Sequence, residues 1–207
     1  VLDLIIWMLP IGIIGARLYY VIFNWDYYSG DLKRIINIRE GGLAIHGGLI
    51  FGFLTVLIFC AIKRIRFADM ADLIIPEVAL AQAIGRWGNF FNEEAYGSET
   101  NLPWAIVVDG HHVHPTFLYE SIWCLILFFV LLYLAKKRKF PGQLVLLYGI
   151  LYSIERFFVE SLRTDSLMIG SLKQAQLISI AVFIVCLILY IYNVRLKHTH
   201  STRRSRR

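Results

Sequence analysis

Six stretches of mainly apolar residues, each close to 20 residues long, follow one another along the chain. They cover roughly residues 4–23, 43–62, 72–92, 116–135, 142–159 and 174–194. A helix of about 20 apolar residues is long enough to cross the hydrocarbon of a bilayer. Helices satisfy their backbone polar groups internally, and the alternating pattern of a β-barrel is absent. The sequence therefore predicts an all-α polytopic membrane protein, a bundle of six transmembrane helices.

The composition supports a membrane protein and excludes an ordinary soluble domain. Hydrophobic residues make up 57% of the 207 residues and charged residues only 17%, and the mean hydropathy is +0.60. Soluble chains carry about 25% charged residues. The net charge of +6 lies entirely in residues 195–207, which contain six basic residues and no acid. We therefore expect one transmembrane domain over 1–194 and a basic cytoplasmic tail over 195–207, and no nucleic-acid-binding face.

The charges between the stretches predict the orientation. Basic clusters follow the second and fourth stretches at 63–66 and 136–139, whereas the loop over 93–114 has four acids and no lysine or arginine. Because basic loops stay in the cytoplasm, the loops after the first, third and fifth stretches should be external. The C-terminus should then be cytoplasmic.

Polar residues cluster near the outer end of the third stretch, although a charge within a span costs about 2.5–3.5 kcal/mol. Three of them fall at helical spacing and share one face: Gln82, Arg86 and Asn89. Asn92 and Glu94 follow closely. The cluster favours a polar binding site over the simpler alternative, an arginine that reaches the interface beside structural glycines.

The fifth stretch carries a polar stripe at spacings of four, four and three residues: Tyr152, Arg156, Glu160 and Arg163. Arg156 and Glu160 could simply pair within the helix. Alternatively, Arg156 faces the same external cavity as Arg86, and two converging guanidiniums indicate a phosphate or carboxylate ligand. Glu120 in the fourth stretch is expected to be a buried partner of one arginine. Arg17 in the first stretch should add a third positive group near the outer side.

His46 opens the second stretch between two glycine pairs. An imidazole titrates near neutrality and can accept a proton from a thiol, although an interfacial histidine with a structural hydrogen bond is the alternative. His111, His112 and His114 lie in the acidic loop without a metal-binding pattern such as His-Glu-x-x-His, so we predict no metal site. The three cysteines lie in apolar stretches without paired spacing and resemble small apolar residues.

Residues 85–97 resemble the signature Gly-Arg-x-Gly-Asn-Phe-x-Asn-x-Glu-x-x-Gly of the bacterial prolipoprotein diacylglyceryl transferases at every fixed position. Further segments of the same family appear in the same order: Gly41–Leu49, His114-Pro115 with Leu118–Glu120, and Glu155–Phe157 through Arg163. The resemblance covers essentially the whole chain. It implies seven spans in the full architecture, so we expect one further helix before Val1.

The resemblance also implies a reaction in the bacterial inner membrane. The family transfers the diacylglyceryl group of phosphatidylglycerol to the lipobox cysteine of a prolipoprotein signal peptide, the first step of lipoprotein maturation, without a cofactor. The expected products are a thioether and glycerol phosphate. Matching residues are expected to be catalytic (His46, Arg86 and Arg156) or substrate-binding (Arg17, Arg86, Asn89, Asn92, Glu94, Gly97, Tyr152, Glu160 and Arg163), at the outer face.

Two other classes of protein fit parts of the pattern. An intramembrane stripe of tyrosine, arginine and glutamate also suits a protein that binds or transports an anion or lipid. An intramembrane metalloprotease is disfavoured because its metal-binding motif is absent.

Overall fold

The computed structural model describes residues 2–39, 41–164, 168–170 and 172–204. Within them the fold is mainly helical. Long helices are α1 (Leu2–Phe23), α4 (Ile45–Lys63), α5 (Phe67–Phe91), α6 (Thr116–Ala135), α7 (Gln143–Leu162) and α8 (Gln174–Arg204), and short ones are α2 (Trp25–Tyr28) and α3 (Leu32–Ile36). Two small antiparallel hairpins join β1 (Ile106–Val108) to β2 (His111–Val113), and β3 (Met168–Ile169) to β4 (Leu172–Lys173).

Four of the described helices are long and apolar enough to cross a membrane. They are Leu2–Phe23, Ile45–Lys63, Thr116–Ala135 and Gln174–Leu196. Large apolar side chains on these helices are exposed, for example Ile6, Phe53, Phe129 and Val185. Soluble proteins rarely expose apolar surfaces of this extent, whereas lipid would cover them. The described part of the fold is thus mainly helical, with four candidate membrane-spanning helices, and is consistent with an all-α membrane protein.

The six-span prediction is only partly supported. Helices α5 and α7 coincide with the predicted third and fifth stretches. Because of their charged residues, they are not among the four helices that are long and apolar enough to cross a membrane. That both also cross the bilayer stays a prediction. The described helices fall into two compact units, Val1–Met70 and Ala71–Arg207, and each unit is considered separately below. The predicted tail is helical as far as Arg204, and residues 205–207 lie outside the described residues.

The first unit is built on the close packing of α1 against α4. A Cβ atom on Gly47 would overlap the carbonyl oxygen of Gly15, so only glycine fits at this crossing. The Ala44 N–H, just before α4, donates to the Ala16 carbonyl at 3.0 Å. These contacts fix the start of α4, where His46 lies.

The second unit packs α6, α7 and α8 together with most of α5. Its apolar centre consists of Ala79, Leu127, Leu131 and Leu144. Asp72, only 2% exposed, lies at the N-terminal end of α7, where its carboxylate accepts hydrogen bonds from the N–H groups of Gly142, Leu144 and Val145 at 2.8, 2.8 and 3.1 Å. A negative charge there satisfies unpaired donors and favours the helix dipole. One end of α5 is thereby fixed against α7.

Candidate active site

Glu120 joins two arginines from different helices in the second unit. Arg86 of α5 places Nε 3.0 Å from Glu120 Oε2, and Arg156 of α7 places Nη1 against Glu120 Oε1. Glu120, in the first turns of α6, is 1% exposed. Because its carboxylate binds one guanidinium on each oxygen, it holds the two positive groups side by side. The structure therefore brings Arg86 and Arg156 together, with Glu120 between them.

The polar stripe of α7 faces this ion-pair cluster. Arg86 Nη2 donates to the Tyr152 hydroxyl at 3.1 Å, and Arg156 Nη2 lies 2.7 Å from Glu160 Oε2. Among the residues that the structure describes, Arg86 Nη1 has no protein partner. The two guanidiniums are held rigidly through some of their N–H groups. This nitrogen of Arg86 could donate hydrogen bonds to an anionic ligand.

A second layer of hydrogen bonds supports the arginine-bearing segment of α5. Trp87 Nε1 donates to Ser121 Oγ at 3.2 Å, and Ser121 Oγ donates to the Ala83 carbonyl at 2.7 Å. The Tyr148 hydroxyl donates to Gln82 Oε1, and its ring stacks on Tyr152 with centroids 5.4 Å apart. The sequence predicts a role for Gln82 but not for Ser121 or Tyr148. Their positions in the sequence could have indicated them, because Ser121 follows Glu120 directly and Tyr148 precedes Tyr152 by one helical turn.

Glu155 is a buried carboxyl group that the sequence did not single out as a site residue. It is 7% exposed, and among the described residues neither of its oxygens has a hydrogen-bond partner. Leaving a polar group buried without a partner is costly, so such a group calls for a specific reason. Its neighbour in sequence, Arg156, belongs to the cluster.

The rest of the signature forms a cavity next to the end of α5. This cavity has a volume of about 270 Å³ and combines polar with apolar lining, including Asn89, Glu94 and Phe117. Asn92 Nδ2 donates to Glu94 Oε1 at 3.3 Å. Gly97 lies where a Cβ atom would be 2.7 Å from the Cβ of His114, so a side chain does not fit there. Six of the ten residues that line the cavity belong to the signature, and the other four come from β1 and the start of α6.

Arg163 ends α7 beside this loop. Its backbone forms an antiparallel bridge with Gly97, and the Ser98 N–H donates to the Leu162 carbonyl at 2.7 Å. The loop that follows the signature is therefore attached to the same end of α7 that carries Glu160 and Arg163.

Arg17 has a different environment, in the first unit. Its side chain is buried and its guanidinium lies 4.9 Å from the ring centroid of Tyr28. Five hydrogen bonds of 2.7 to 2.9 Å lead from it to backbone carbonyls, those of Arg34, Ile35, Asn37, Gly41 and Gly42. A guanidinium has five N–H groups, so all of them are engaged. Arg17 organises the loop over 24–42, and its direct contact with substrate stays a prediction.

His46 also belongs to the first unit. It is the second residue of α4, is exposed, and lies with its ring centroid 6.1 Å from that of Tyr19. An imidazole in this exposed position is accessible to a substrate. That it acts together with the two arginines stays a prediction.

The histidines of the acidic loop have local partners. His111 Nδ1 lies 2.8 Å from Glu99 Oε1, and His114 Nδ1 lies 3.2 Å from the Tyr119 hydroxyl. Within the described ranges, no three histidine, cysteine, aspartate or glutamate side chains are grouped as a metal site would require.

Comparison with known proteins identifies close relatives of this chain. Residues 1–192 match the family model described as prolipoprotein diacylglyceryl transferase. A phosphatidylglycerol–prolipoprotein diacylglyceryl transferase of Finegoldia magna is 57% identical over 192 residues, which cover 92% of this chain and 77% of the relative. The enzyme of the same name from Clostridioides difficile is 56% identical, with 93% and 77% covered. The one from Listeria innocua is 47% identical, with 93% and 74% covered.

Proposed function

Because this chain belongs to the prolipoprotein diacylglyceryl transferase family, we propose that it transfers the diacylglyceryl group of phosphatidylglycerol to the lipobox cysteine of a prolipoprotein signal peptide. The observation that carries the proposal is the pair of guanidiniums, Arg86 and Arg156, held by one buried carboxylate. A phosphodiester at the depth of the lipid headgroups is the anion that such a pair suits.

The chemistry is a displacement at carbon. The cysteine sulfur attacks the glyceryl carbon that carries the phosphate ester, the carbon–oxygen bond breaks, and its electron pair goes to the departing phosphate oxygen. A thioether forms and glycerol phosphate leaves. Negative charge grows on the phosphate oxygens as the bond breaks, and fixed positive groups stabilise it without having to reorganise. Arg86 and Arg156 would supply this stabilisation.

Glu120 prepares the arginines for this role. Two guanidiniums side by side repel each other, and a buried carboxylate that binds both offsets this repulsion. Tyr152 and Glu160 each hold one of the arginines from the α7 side. The two guanidiniums would therefore be oriented by contacts within the protein itself.

The thiol must lose its proton before it attacks, since the thiolate is the nucleophile. His46 is the proposed base that accepts this proton. The cavity beside Asn89, Asn92, Glu94 and Gly97 is proposed to bind substrate. Arg17 and Arg163 would add positive charge near the lipid phosphate.

We further place the active site at the outer face of the bacterial inner membrane, with six spans in this chain and a cytoplasmic C-terminus. The absence of basic residues from the loop over 93–114, which follows the signature, supports this orientation.

The test is a reaction in detergent that contains only purified protein, phosphatidylglycerol and a synthetic lipobox peptide. We expect the peptide to gain a diacylglyceryl group, and a peptide with serine in place of cysteine to stay unmodified. Transport is the competing function. A protein that moves lipid or anion across sealed vesicles, and that leaves the peptide unchanged in detergent, contradicts the proposal.

A further inference from the structure

Lys173 reaches from the β3–β4 hairpin to the last turn of α7. Its Nζ donates to the carbonyl oxygens of Glu160 at 2.8 Å and Ser161 at 3.2 Å, and also to that of Arg163. The last carbonyls of a helix have no partner within the helix, and they form its negative end. An ammonium group has three N–H donors. Lys173 therefore directs three donors to three carbonyls, of which that of Glu160 also accepts the Arg163 N–H at 3.2 Å. It places a positive charge where the helix favours one.

The contacts around Lys173 tie the same turn to the start of α8. The Lys173 backbone N–H donates to Gln176 Oε1 at 3.1 Å, and Gln176 Nε2 donates to the Phe157 carbonyl at 3.4 Å. On another side, Gly97 and Ser98 bind the backbone of Arg163 and Leu162. The end of α7 is thus held by two separate segments, and Lys173 is the charged group in one of them.

This turn carries Glu160, whose carboxylate binds Arg156, and it ends at Arg163. A shift of the turn would move Glu160 and so change the position of the Arg156 guanidinium. We infer that Lys173 is a positioning residue for lipid transfer, which holds the end of α7 so that Glu160 keeps the Arg156 guanidinium in place. The inference rests on the proposed function. It assigns Lys173 no contact with the lipid, because the carbonyls already occupy its three donors.

Steady-state kinetics of Lys173→Met separates positioning from lipid binding. Misplacement of a catalytic group by about 1 Å can cost about 100-fold in rate, so we expect kcat to fall by about 10- to 100-fold. The KM for phosphatidylglycerol should change little. Lys173→Arg, which keeps the charge and several donors, should recover most of the rate. Lys137→Met is the matched control, since Lys137 is exposed and contacts the Tyr133 hydroxyl.

A double-mutant cycle tests whether Lys173 acts through Glu160. If it does, adding Lys173→Met to Glu160→Gln should lower kcat little further, because the contact between Glu160 and Arg156 through which Lys173 acts is already weakened. Losses that multiply would overturn the inference. So would a raised KM with unchanged kcat, which is the result expected of a lysine that binds the lipid phosphate.

Amide hydrogen exchange of the full-length protein gives a readout that does not need activity. Residues 160–163 should exchange faster in Lys173→Met than in the wild type and in Lys137→Met, and Lys173→Arg should resemble the wild type. Unchanged exchange overturns the inference even if no variant is active. A wild-type protein that transfers no lipid contradicts the proposed function instead, and the exchange data then still decide whether Lys173 holds α7.

Discussion

Replacing Glu120 with glutamine should disable the enzyme although the side chain keeps its size. Each oxygen of Glu120 binds one arginine, with 3.0 Å separating Arg86 Nε from Oε2, and the residue is 1% exposed. Two unit charges 4 Å apart interact by about 4 kcal/mol at the effective dielectric constant of 20 that suits such sites. Removing one partner of a buried ion pair costs about 3–5 kcal/mol, because the remaining charge stays buried. In Glu120→Gln, Arg86 loses its ion pair and Arg156 keeps only the one with Glu160.

We therefore expect the free energy of unfolding to fall by about 3–5 kcal/mol. Because the repelling guanidiniums would separate, kcat should fall at least about 100-fold. The assay measures peptide lipidation at a temperature where the variant is still folded, alongside the thermal midpoint in detergent. Glu77→Gln is the matched control, since Glu77 is an exposed carboxylate in the middle of α5. A Glu120→Gln enzyme with wild-type kcat and midpoint would refute the idea that this carboxylate organises the arginines.

Three further substitutions test other parts of the proposal. Arg86→Lys should lose most activity although the charge is kept, because an ammonium cannot bind two phosphate oxygens in the planar way of a guanidinium; near wild-type turnover at equal expression would exclude that binding mode. His46→Gln should bind phosphatidylglycerol nearly normally but transfer it at least about 100-fold more slowly. In the wild type the rate of lipid transfer should fall as the pH is lowered, because a protonated imidazole accepts no proton. A His46→Gln enzyme that stays active, and whose rate falls over the same acidic pH range, points to another base. Asp72→Asn should lower the midpoint of thermal unfolding, since the charge that binds three N–H groups of α7 is lost, and an unchanged midpoint contradicts this role.

The helices could be predicted well because a helix that crosses lipid needs about 20 mainly apolar residues, and such stretches are visible in the sequence. The apolar stretch predicted at 116–135 is α6 with the same bounds, and α7 begins within one residue of its predicted start. Helix α5 begins at Phe67, five residues before the apolar stretch, because its first turns contain polar residues such as Asp69 that hydropathy does not distinguish from a loop. The two hairpins were not predicted. Their strands of two or three residues are too short to show an alternating pattern.

The site could be predicted in part. Helical spacing placed Tyr152, Arg156 and Glu160 on one stripe of α7, and Glu120 was expected to be a buried partner of an arginine. Arg163 was predicted on the same stripe but follows the end of α7 in an extended conformation. The sequence could not show that one carboxylate binds both arginines, because that contact joins three helices. Nothing in the sequence indicated a role for Lys173. It is one basic residue in a polar loop, and only the fold brings it to the carbonyls of α7.

Arg17 shows the limit of charge-based prediction. A buried arginine near the outer side suggested a third group for the lipid phosphate. In the structure its five N–H groups bind backbone carbonyls of the loop over 24–42. The sequence supplied the charge but not its partners, since these are backbone atoms that any residue could provide.

The most direct test of lipid transfer to a thiol measures both products of one reaction. Purified protein is incubated with phosphatidylglycerol and a lipobox peptide, and the intact mass of the peptide is followed together with the glycerol phosphate released. We expect one diacylglyceryl group on the cysteine sulfur for each glycerol phosphate, and neither product in the Glu120→Gln reaction beyond about 1% of the wild-type rate. A folded wild-type protein that binds phosphatidylglycerol, yet yields neither modified peptide nor glycerol phosphate, would contradict the proposed function.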